Sequence, residues 1–185
     1  MSKLMFASDL HGDLDATNAI LDRFLAEGAE RLILLGDLLY HGPRNDLPRA
    51  YAPKAVIGRL SEYADRLLAV RGNCDTEVDQ MVLNFPILAD YGFLYADGVA
   101  IYLTHGHRFS PDAPPPIKRG ECLVGGHTHV AGIREFGDGN LYINPGSPSI
   151  PKEGTPRGYL IFERGAFSLR DLSGKEYAFK QWKSI

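Results

Sequence analysis

The chain has 185 residues, of which 44% are hydrophobic and 23% charged, an ordinary composition for a globular protein. Its formal net charge of −3 at pH 7 provides no broad basic field, which argues against a protein that binds mainly by coating nucleic-acid phosphates. The length fits a single domain, residues 1–185, whose core would bury about two-thirds of the unfolded surface.

The absence of targeting signals favours a cytoplasmic protein. No apolar run approaches the ~20 residues that span a bilayer, and Asp9 comes too early for the apolar stretch of a signal peptide. The two cysteines, Cys74 and Cys122, form no closely spaced metal or redox pair. We therefore expect free thiols, a reducing compartment and no membrane partner.

The first half of the chain alternates strand and helix patterns. Short apolar runs predict buried strands at residues 3–8, 31–36 and 67–72. Apolar residues at helical spacing predict a helix from about Asp13 to Glu27, with Gly28 suited to end it, and a second from about Arg49 to Ala64. Strand-helix-strand units of this kind imply a parallel sheet.

The second half has a different character, because turn dipeptides separate its β-rich runs. Asp97-Gly98 and Asp138-Gly139 are strong hairpin signals, and Arg164-Gly165 is a weaker one. This half is therefore predicted to be mostly antiparallel. Two packed sheets with helices outside them accommodate both halves.

Polar clusters follow the predicted strands. In open α/β sheets ligands gather at the carboxyl ends of strands, so these clusters should converge. The clusters of the first half contain Asp9 with His11, then Asp37, then Asn73, and those of the second half contain His105 with His107 and His127 with His129.

Five of the six histidines lie in these clusters. A single buried histidine is more often a core residue than a ligand, but chance does not explain five placed this way. Imidazole nitrogen combined with carboxylate and amide oxygen suits Mn, Fe or Zn. Seven candidate ligands are too many for one ion, but suit two ions that share a bridging carboxylate. If the segment around His127 and His129 is extended, both side chains point the same way, and each can face one ion.

The order of these motifs resembles the calcineurin-like metallophosphoesterase superfamily. The shared motifs are D-x-H, G-D, G-N-x-D, T-H-G-H and G-H-T-H between residues 9 and 129, followed by N-P-G-S-P-S at 144–149. The segments GDLLYHGPRN and RGNCD most closely resemble the sequences of the small bacterial phosphodiesterases of the YfcE type. The resemblance implies an α/β fold, a four-layer αββα sandwich of two mixed β-sheets flanked by helices. It also implies a site for two divalent ions, most often Mn²⁺, with Fe, Zn or Ni as alternatives.

The resemblance also implies a role for each ligand. Asp9, His11 and His129 would hold the first ion; Asn73, His105 and His127 would hold the second; and Asp37 would bridge them. Two cations about 3.5–4 Å apart clamp a phosphoryl group and convert a bridging water into a hydroxide that attacks phosphorus in line. Our candidate catalytic residues are Asp37, Asn73, Cys74 and His105.

Cys74 departs from the G-N-H-[DE] pattern of many superfamily members, in which the histidine is thought to protonate the leaving group or steady the phosphate. A thiol with a pKa of about 8.5 is a poor substitute for imidazole at pH 7. This favours phosphodiesters, aryl diesters above all, over monoesters with basic leaving groups. A redox role for Cys74 is the alternative. Asp75 is expected to orient a neighbouring ligand and not to bind metal.

Several weaker candidates surround this set. We expect His107 to lie beside the ligands or face the substrate, with direct metal binding as the alternative. His41 and Arg44 belong to a Pro- and Gly-rich loop, residues 41–53, that predicts an ordered wall beside the site. Arg44 would either grip a phosphate or be a solvated loop residue. Residues 108–120 form either another wall or a connector, and Asn144 would hydrogen-bond beneath the metal site.

These features predict a dinuclear metal-dependent phosphodiesterase that acts on small organic phosphodiesters. The alternatives are a non-catalytic scaffold on the same fold, such as the metallophosphoesterase-fold subunit of retromer, or a phosphomonoesterase or nuclease of the superfamily. The complete ligand set disfavours the scaffold. The short, acidic chain disfavours the nuclease and predicts no stable nucleic-acid partner. The hairpins leave sheet edges through which a homo-oligomer could form.

Overall fold

The computed structural model describes residues 3–182, which form two β-sheets and three α-helices. The helices are α1 (Leu14–Glu27), α2 (Pro53–Ser61) and α3 (Glu77–Val82). The strands of the first sheet are β1 (Leu4–Ala7), β2 (Arg31–Leu34), β3 (Leu67–Ala69), β9 (Gly158–Glu163), β10 (Ala166–Asp171) and β11 (Glu176–Gln181). Those of the second sheet are β4 (Gly92–Ala96), β5 (Val99–Leu103), β6 (Cys122–Val124), β7 (Gly132–Phe136) and β8 (Asn140–Asn144).

Both sheets are mixed. The first has the order β11-β10-β9-β1-β2-β3, with β1, β2 and β3 parallel as predicted. The second has the order β4-β5-β6-β8-β7, and its central pairs β5–β6 and β6–β8 are parallel. The prediction of a mostly antiparallel second half missed these two pairs, because the long connection between β5 and β6 carries no helical pattern that would indicate a crossover. Two mixed sheets with flanking helices confirm the predicted fold class.

Alternating side chains divide the core into two clusters. Met5 faces the helices and packs with Ile20 and Phe24 of α1, whereas Phe6 faces the second sheet and packs with residues such as Ile101 and Val124. This period of two follows from the pleat of a strand. Burying each such side chain contributes about 1.5–3 kcal/mol. Both faces of β1 are therefore buried, which fixes its carboxyl end, where the first ligand motif begins.

The predicted boundaries of α1 are confirmed, whereas the predicted start of the second helix is wrong. The Asp13 side chain caps α1 by accepting from the Ala16 N–H, and Gly28 ends the helix with φ of 63°, as predicted. The second helix begins at Pro53, not at Arg49, because a proline disfavours helical geometry in the residue before it. Helix α3 was not predicted, although Thr76 and Asp79 form a capping box at its start.

The three predicted hairpins are present as β4–β5, β7–β8 and β9–β10. Asp97-Gly98 and Arg164-Gly165 both have positive φ at each residue, as tight two-residue hairpin turns require. Neither cysteine in the described chain is in a disulfide, as predicted. Within residues 3–182, no helix has the length and apolarity needed to cross a bilayer.

Candidate metal centre

The loops at the carboxyl ends of strands from both sheets meet in one place. Asp9 follows β1, Asp37 follows β2 and Asn73 follows β3, while His105 follows β5 and both His127 and His129 follow β6. The expected convergence of the clusters is therefore seen in the structure. The two sheets contribute to it about equally.

Five of these side chains form a buried group that we call the floor: Asp9, His11, Asp37, His105 and His129, none more than 3% exposed. Asp9 Oδ1 lies 3.2 Å from His129 Nε2 and 3.6 Å from His11 Nε2. Asp37 Oδ2 lies 3.5 Å from His105 Nε2 and 3.7 Å from His11 Nε2. Asp37 thus contacts both histidines and stands between the two halves of the floor.

Backbone carbonyls fix the orientation of the three imidazole rings of the floor. Each ring donates its Nδ1–H to a carbonyl oxygen: His11 to Tyr40 at 2.7 Å, His105 to Leu35 at 2.7 Å and His129 to Ile150 at 2.9 Å. A carbonyl only accepts, so Nδ1 must carry a proton and Nε2 is the atom that points inward. Histidines that bind metals through Nε2 are held in this way.

The floor is strongly polarised. Burial raises the pKa of Asp9, but the charge of His105 and the adjacent imidazoles of His11 and His129 outweigh it and hold that pKa well below its usual range. Burial would lower the pKa of His105, yet the Asp9 and Asp37 carboxylates raise it to about 9. The carboxylates therefore stay ionised and attract positive charge to the space between the rings.

The donor set of the floor fits a divalent metal ion. Asp9 Oδ1 is buried without a hydrogen-bond partner, although it faces imidazole nitrogens. An ionised oxygen left this way is costly unless a cation contacts it. The side chains whose donor atoms lie within 4.8 Å of one another are Asp9, His11 and His129; Asp9, Asp37 and His105; and His11, Asp37 and Cys74.

The loops that carry the candidate ligands have strained backbone. Asp9, His11, Asp37, His127 and His129 all have φ between 49° and 68°, a region that non-glycine residues rarely adopt. Such conformations cost about 1–3 kcal/mol each and cluster at functional sites. The interpretation of the His127–His129 segment as extended is wrong, because both residues have positive φ in the left-handed region.

Two glycines allow the ligand loops to approach one another. A Cβ at Gly126 would lie 1.9 Å from Ser8 Oγ and 2.6 Å from Asp9 Oδ2. A Cβ at Gly72 would lie 2.1 Å from Asp37 Oδ1. A larger residue at Gly126 would push the loops of the two sheets apart, and one at Gly72 would push apart the loops that follow β2 and β3, so these glycines set the width of the site.

Other polar residues brace the ligand loops. Asp75 accepts hydrogen bonds from the N–H groups of Asp37, Leu38 and Gly72, and so contacts the backbone of the candidate ligand Asp37. Asn144 donates to Gly126 O and Thr128 Oγ1, beneath the histidine loop. Ser147, within the N-P-G-S-P-S motif, donates to the Asp9 carbonyl, a contact that was not predicted.

Above the floor lies an open cleft of about 300 Å³. We call the polar side chains at its edge the rim: Arg44, Asn73, His127 and Lys152. Asn73 Oδ1 and His127 Nδ1 lie 3.1 and 3.2 Å from His105 Nε2, so both approach the floor from above. Lys152 was not predicted, because it belongs to no motif. Its position follows from a hydrogen bond that its N–H donates to the His129 carbonyl.

The remaining candidates lie at different distances from the floor. The Cys74 thiol is 8% exposed, lines the cleft and has a pKa raised by burial and by Asp37. His107 is exposed, with its ring centroid 5.4 Å from that of His105. The His41 ring packs edge-on against Tyr40 and Tyr51 and does not line the cleft.

Comparison with known proteins agrees with this geometry. Residues 2–165 match the calcineurin-like phosphoesterase superfamily domain. The chain is 48% identical over 173 residues to phosphodiesterase YfcE of Escherichia coli K12, covering 94% of each sequence.

Solved structures give the same result. A structure of YfcE, a phosphoesterase from E. coli, has 45% sequence identity and a TM-score of 0.94, covering 98% of this chain and all of that one. Vacuolar protein sorting 29 from Cryptosporidium parvum shares the fold alone, at 17% identity and a TM-score of 0.62, covering 97% of this chain and 96% of its own. This chain therefore belongs to the calcineurin-like phosphoesterase superfamily.

Proposed function

We propose that the protein is a metal-dependent phosphodiesterase that hydrolyses small organic phosphodiesters, with residues 1–185 acting as one catalytic domain. The observation that carries this proposal is the convergence of three oriented imidazoles on two buried, ionised carboxylates. The relative named YfcE, a phosphodiesterase, supports it.

In this proposal Asp9, His11 and His129 would hold one ion, Asn73, His105 and His127 would hold a second, and Asp37 would contribute to both. The contacts of Asp37 with both His11 and His105 support that last role. When bound, two divalent ions supply Lewis acidity and a nucleophilic water at neutral pH. The mixture of imidazole, carboxylate and amide donors favours Mn²⁺ over Mg²⁺.

The rim supplies the contacts for the substrate phosphate. Arg44 and Lys152 both line the cleft and place positive charge above the floor. Arg44 would bind non-bridging oxygens through its planar fork, while Lys152 would act as a point charge. His107, beside His105, is placed to face the substrate.

Cys74 supports a preference for diesters. Its raised pKa keeps the thiol neutral, so it provides neither a cation for a dianionic monoester nor an effective acid for a basic leaving group. An aryl diester carries only one negative charge, and its leaving group is a stable phenolate. Its hydrolysis therefore needs neither an additional cation nor an acid that protonates the leaving group.

The test compares hydrolysis of bis(para-nitrophenyl) phosphate with that of para-nitrophenyl phosphate. Chelation should abolish diester hydrolysis, and Mn²⁺ should restore it better than Mg²⁺. Protein that binds Mn²⁺ at this site but hydrolyses neither ester would point to the scaffold alternative.

A variant sharpens the same test. Cys74→His should raise monoester relative to diester hydrolysis, because it restores an imidazole beside the phosphate. The conservative variant Cys74→Ser supplies no such group and serves as the control. An unchanged ratio in Cys74→His would remove the argument about leaving groups.

A further inference from the structure

A second cavity of about 410 Å³ adjoins the metal cleft, and Thr128 lines both. We call it the side pocket. It lies over the outward face of β7 and β8, where Tyr142 forms part of its wall. Residues 110–112, from the long connection between β5 and β6, form part of the opposite wall.

We propose that the side pocket binds the ester group that remains on phosphorus, and that this group is neutral and carries a ring. The inference rests on the proposed phosphodiesterase activity and extends it to the class of substrate. It also gives a role in binding to residues 110–112 of the 108–120 loop.

The stereochemistry of in-line displacement directs that group sideways. The leaving oxygen lies opposite the attacking oxygen, and the other three substituents of phosphorus lie in a plane across that axis. With attack from the floor, these three substituents extend along the walls of the cleft. Arg44 and Lys152 suit the two non-bridging oxygens, which leaves the Thr128 wall for the ester group.

Thr128, which lies between the cleft and the side pocket, is well positioned to guide the ester group from one to the other. Thr128 is exposed, and its Oγ1 accepts a hydrogen bond from Asn144 Nδ2 at 3.0 Å. The same residue is flanked by His127 and His129, so the side pocket begins one residue from the proposed metal ligands. A group attached directly to the phosphate can therefore reach it.

The lining of the side pocket favours a neutral ring. Val130, Ala131 and Tyr142 provide apolar surface, and the Arg134 guanidinium lies over the Tyr142 ring at 5.4 Å from its centroid. Asp112 and Glu153 line the same cavity, so its carboxylates outnumber the single positive charge of Arg134 and the pocket does not select a second anion. An aromatic ring or a nucleoside has the matching chemistry.

A large side chain substituted at Gly132 provides a direct way to fill the side pocket. It lies opposite Asn144 on β8, two residues from Arg134, and therefore on the same outward face as the Arg134–Tyr142 pair. A Cβ at Gly132 would meet nothing within 4 Å, and its φ is not in the left-handed region. Gly132→Phe should thus occupy the pocket without straining the strand.

The experiment uses three diesters with the same para-nitrophenol leaving group and a different second ester group: methyl, phenyl or thymidine. With Mn²⁺-loaded protein, Gly132→Phe should lower kcat/KM for the phenyl and thymidine substrates by about tenfold or more, mainly through KM. The methyl substrate should change by less than about twofold, because its small group never enters the pocket.

Gly58→Phe is the matched control, since Gly58 is exposed on α2 and a Cβ there also meets nothing within 4 Å. It should leave all three substrates unchanged. Equal loss on methyl and ring-bearing substrates in Gly132→Phe, or no loss on either, would overturn the inference while leaving the phosphodiesterase activity intact. Loss confined to one of the two ring-bearing substrates would support the pocket and identify its ligand as aryl or nucleoside.

A binding measurement separates this inference from the proposed function. Thymidine titrated into protein loaded with diamagnetic Mg²⁺ should shift the amide NMR resonances of Thr128 and Gly132, and Gly132→Phe should abolish those shifts. If the wild-type protein cleaves no diester, this titration still decides whether the pocket binds a ring. Absence of any shift near Gly132 would overturn the inference.

Discussion

The floor and the rim of the metal site differ in how they are held. The floor side chains are buried, and each of its imidazoles is fixed by a backbone carbonyl. Among the rim residues, Arg44, Asn73 and Lys152 are exposed and His127 is half-buried. From this comparison we infer that the chemistry common to phosphate esters belongs to the floor and to the metal ligands Asn73 and His127, whereas selection among esters belongs to Arg44, Lys152 and the side pocket.

The largest expected effect comes from breaking the floor at Asp37. Asp37→Asn keeps the shape of the side chain but removes the charge that contacts both His11 and His105. We expect loss of both metal ions and a fall in activity of about a thousandfold or more. Metal content by elemental analysis and diester hydrolysis measure this. Asp22→Asn, at an exposed position on α1, is the control.

Single-histidine variants sharpen this result. His127→Ala and His129→Ala should each reduce mainly one ion, in contrast to the loss of both in Asp37→Asn. A variant of Asp37 that retained two ions would show that this carboxylate does not bridge.

The second effect tests the close approach of the two sheets at Gly126. A Cβ there would collide with Ser8 and Asp9, both of which are fully buried and cannot move aside. Gly126→Ala should lower the free energy of unfolding by about 1–3 kcal/mol and weaken metal binding, as measured by denaturation and by metal titration. Gly58→Ala on the exposed face of α2 should not destabilise the protein. Wild-type stability and metal affinity in Gly126→Ala would show that the loops can separate without cost.

The sequence was sufficient to predict the floor, because each of its residues follows a buried strand within a recognisable motif. It was not sufficient to predict Lys152, which reaches the rim through a backbone hydrogen bond to His129. It also could not indicate that His127 and His129 are left-handed, because no local motif signals the hydrogen bond that the His127 N–H donates to Asp9 Oδ2, far away in the sequence. Parallel pairing of β5, β6 and β8 escaped prediction because the long connection between β5 and β6 carries no helical pattern that would indicate a crossover.

The third effect concerns the rim. Arg44→Ala and Lys152→Ala should each raise KM for diesters by about three- to tenfold, because exposed charges contribute modestly to binding. Both variants should retain full metal content, unlike variants of the floor. Steady-state kinetics with metal analysis distinguishes the two classes. Loss of metal in either variant would mean that Arg44 or Lys152 contributes to metal binding and not only to substrate binding.

The smallest expected effect comes from a substitution far from the metal site, which serves as a reference for the substitutions within it. Glu27, 9% exposed, accepts hydrogen bonds from Lys3 and Tyr159 and forms an ion pair with Arg170, which joins α1 to the first sheet. Burial opposes its ionisation, but hydrogen bonds from these three partners lower its pKa below the usual value.

A lowered pKa in the folded state means that Glu27 stabilises the protein above its unfolded pKa of about 4.3. That contribution is lost as the pH falls through the folded pKa. Glu27→Gln should therefore lower the free energy of unfolding by about 1 kcal/mol at neutral pH, and the difference from the wild type should shrink below about pH 4. Denaturation of the metal-free proteins across this pH range measures the effect.

A difference in stability that stayed constant with pH would assign the effect to packing of α1 and not to the charge of Glu27. Diester hydrolysis at neutral pH should remain at the wild-type level, since no atom of this network lines the cleft.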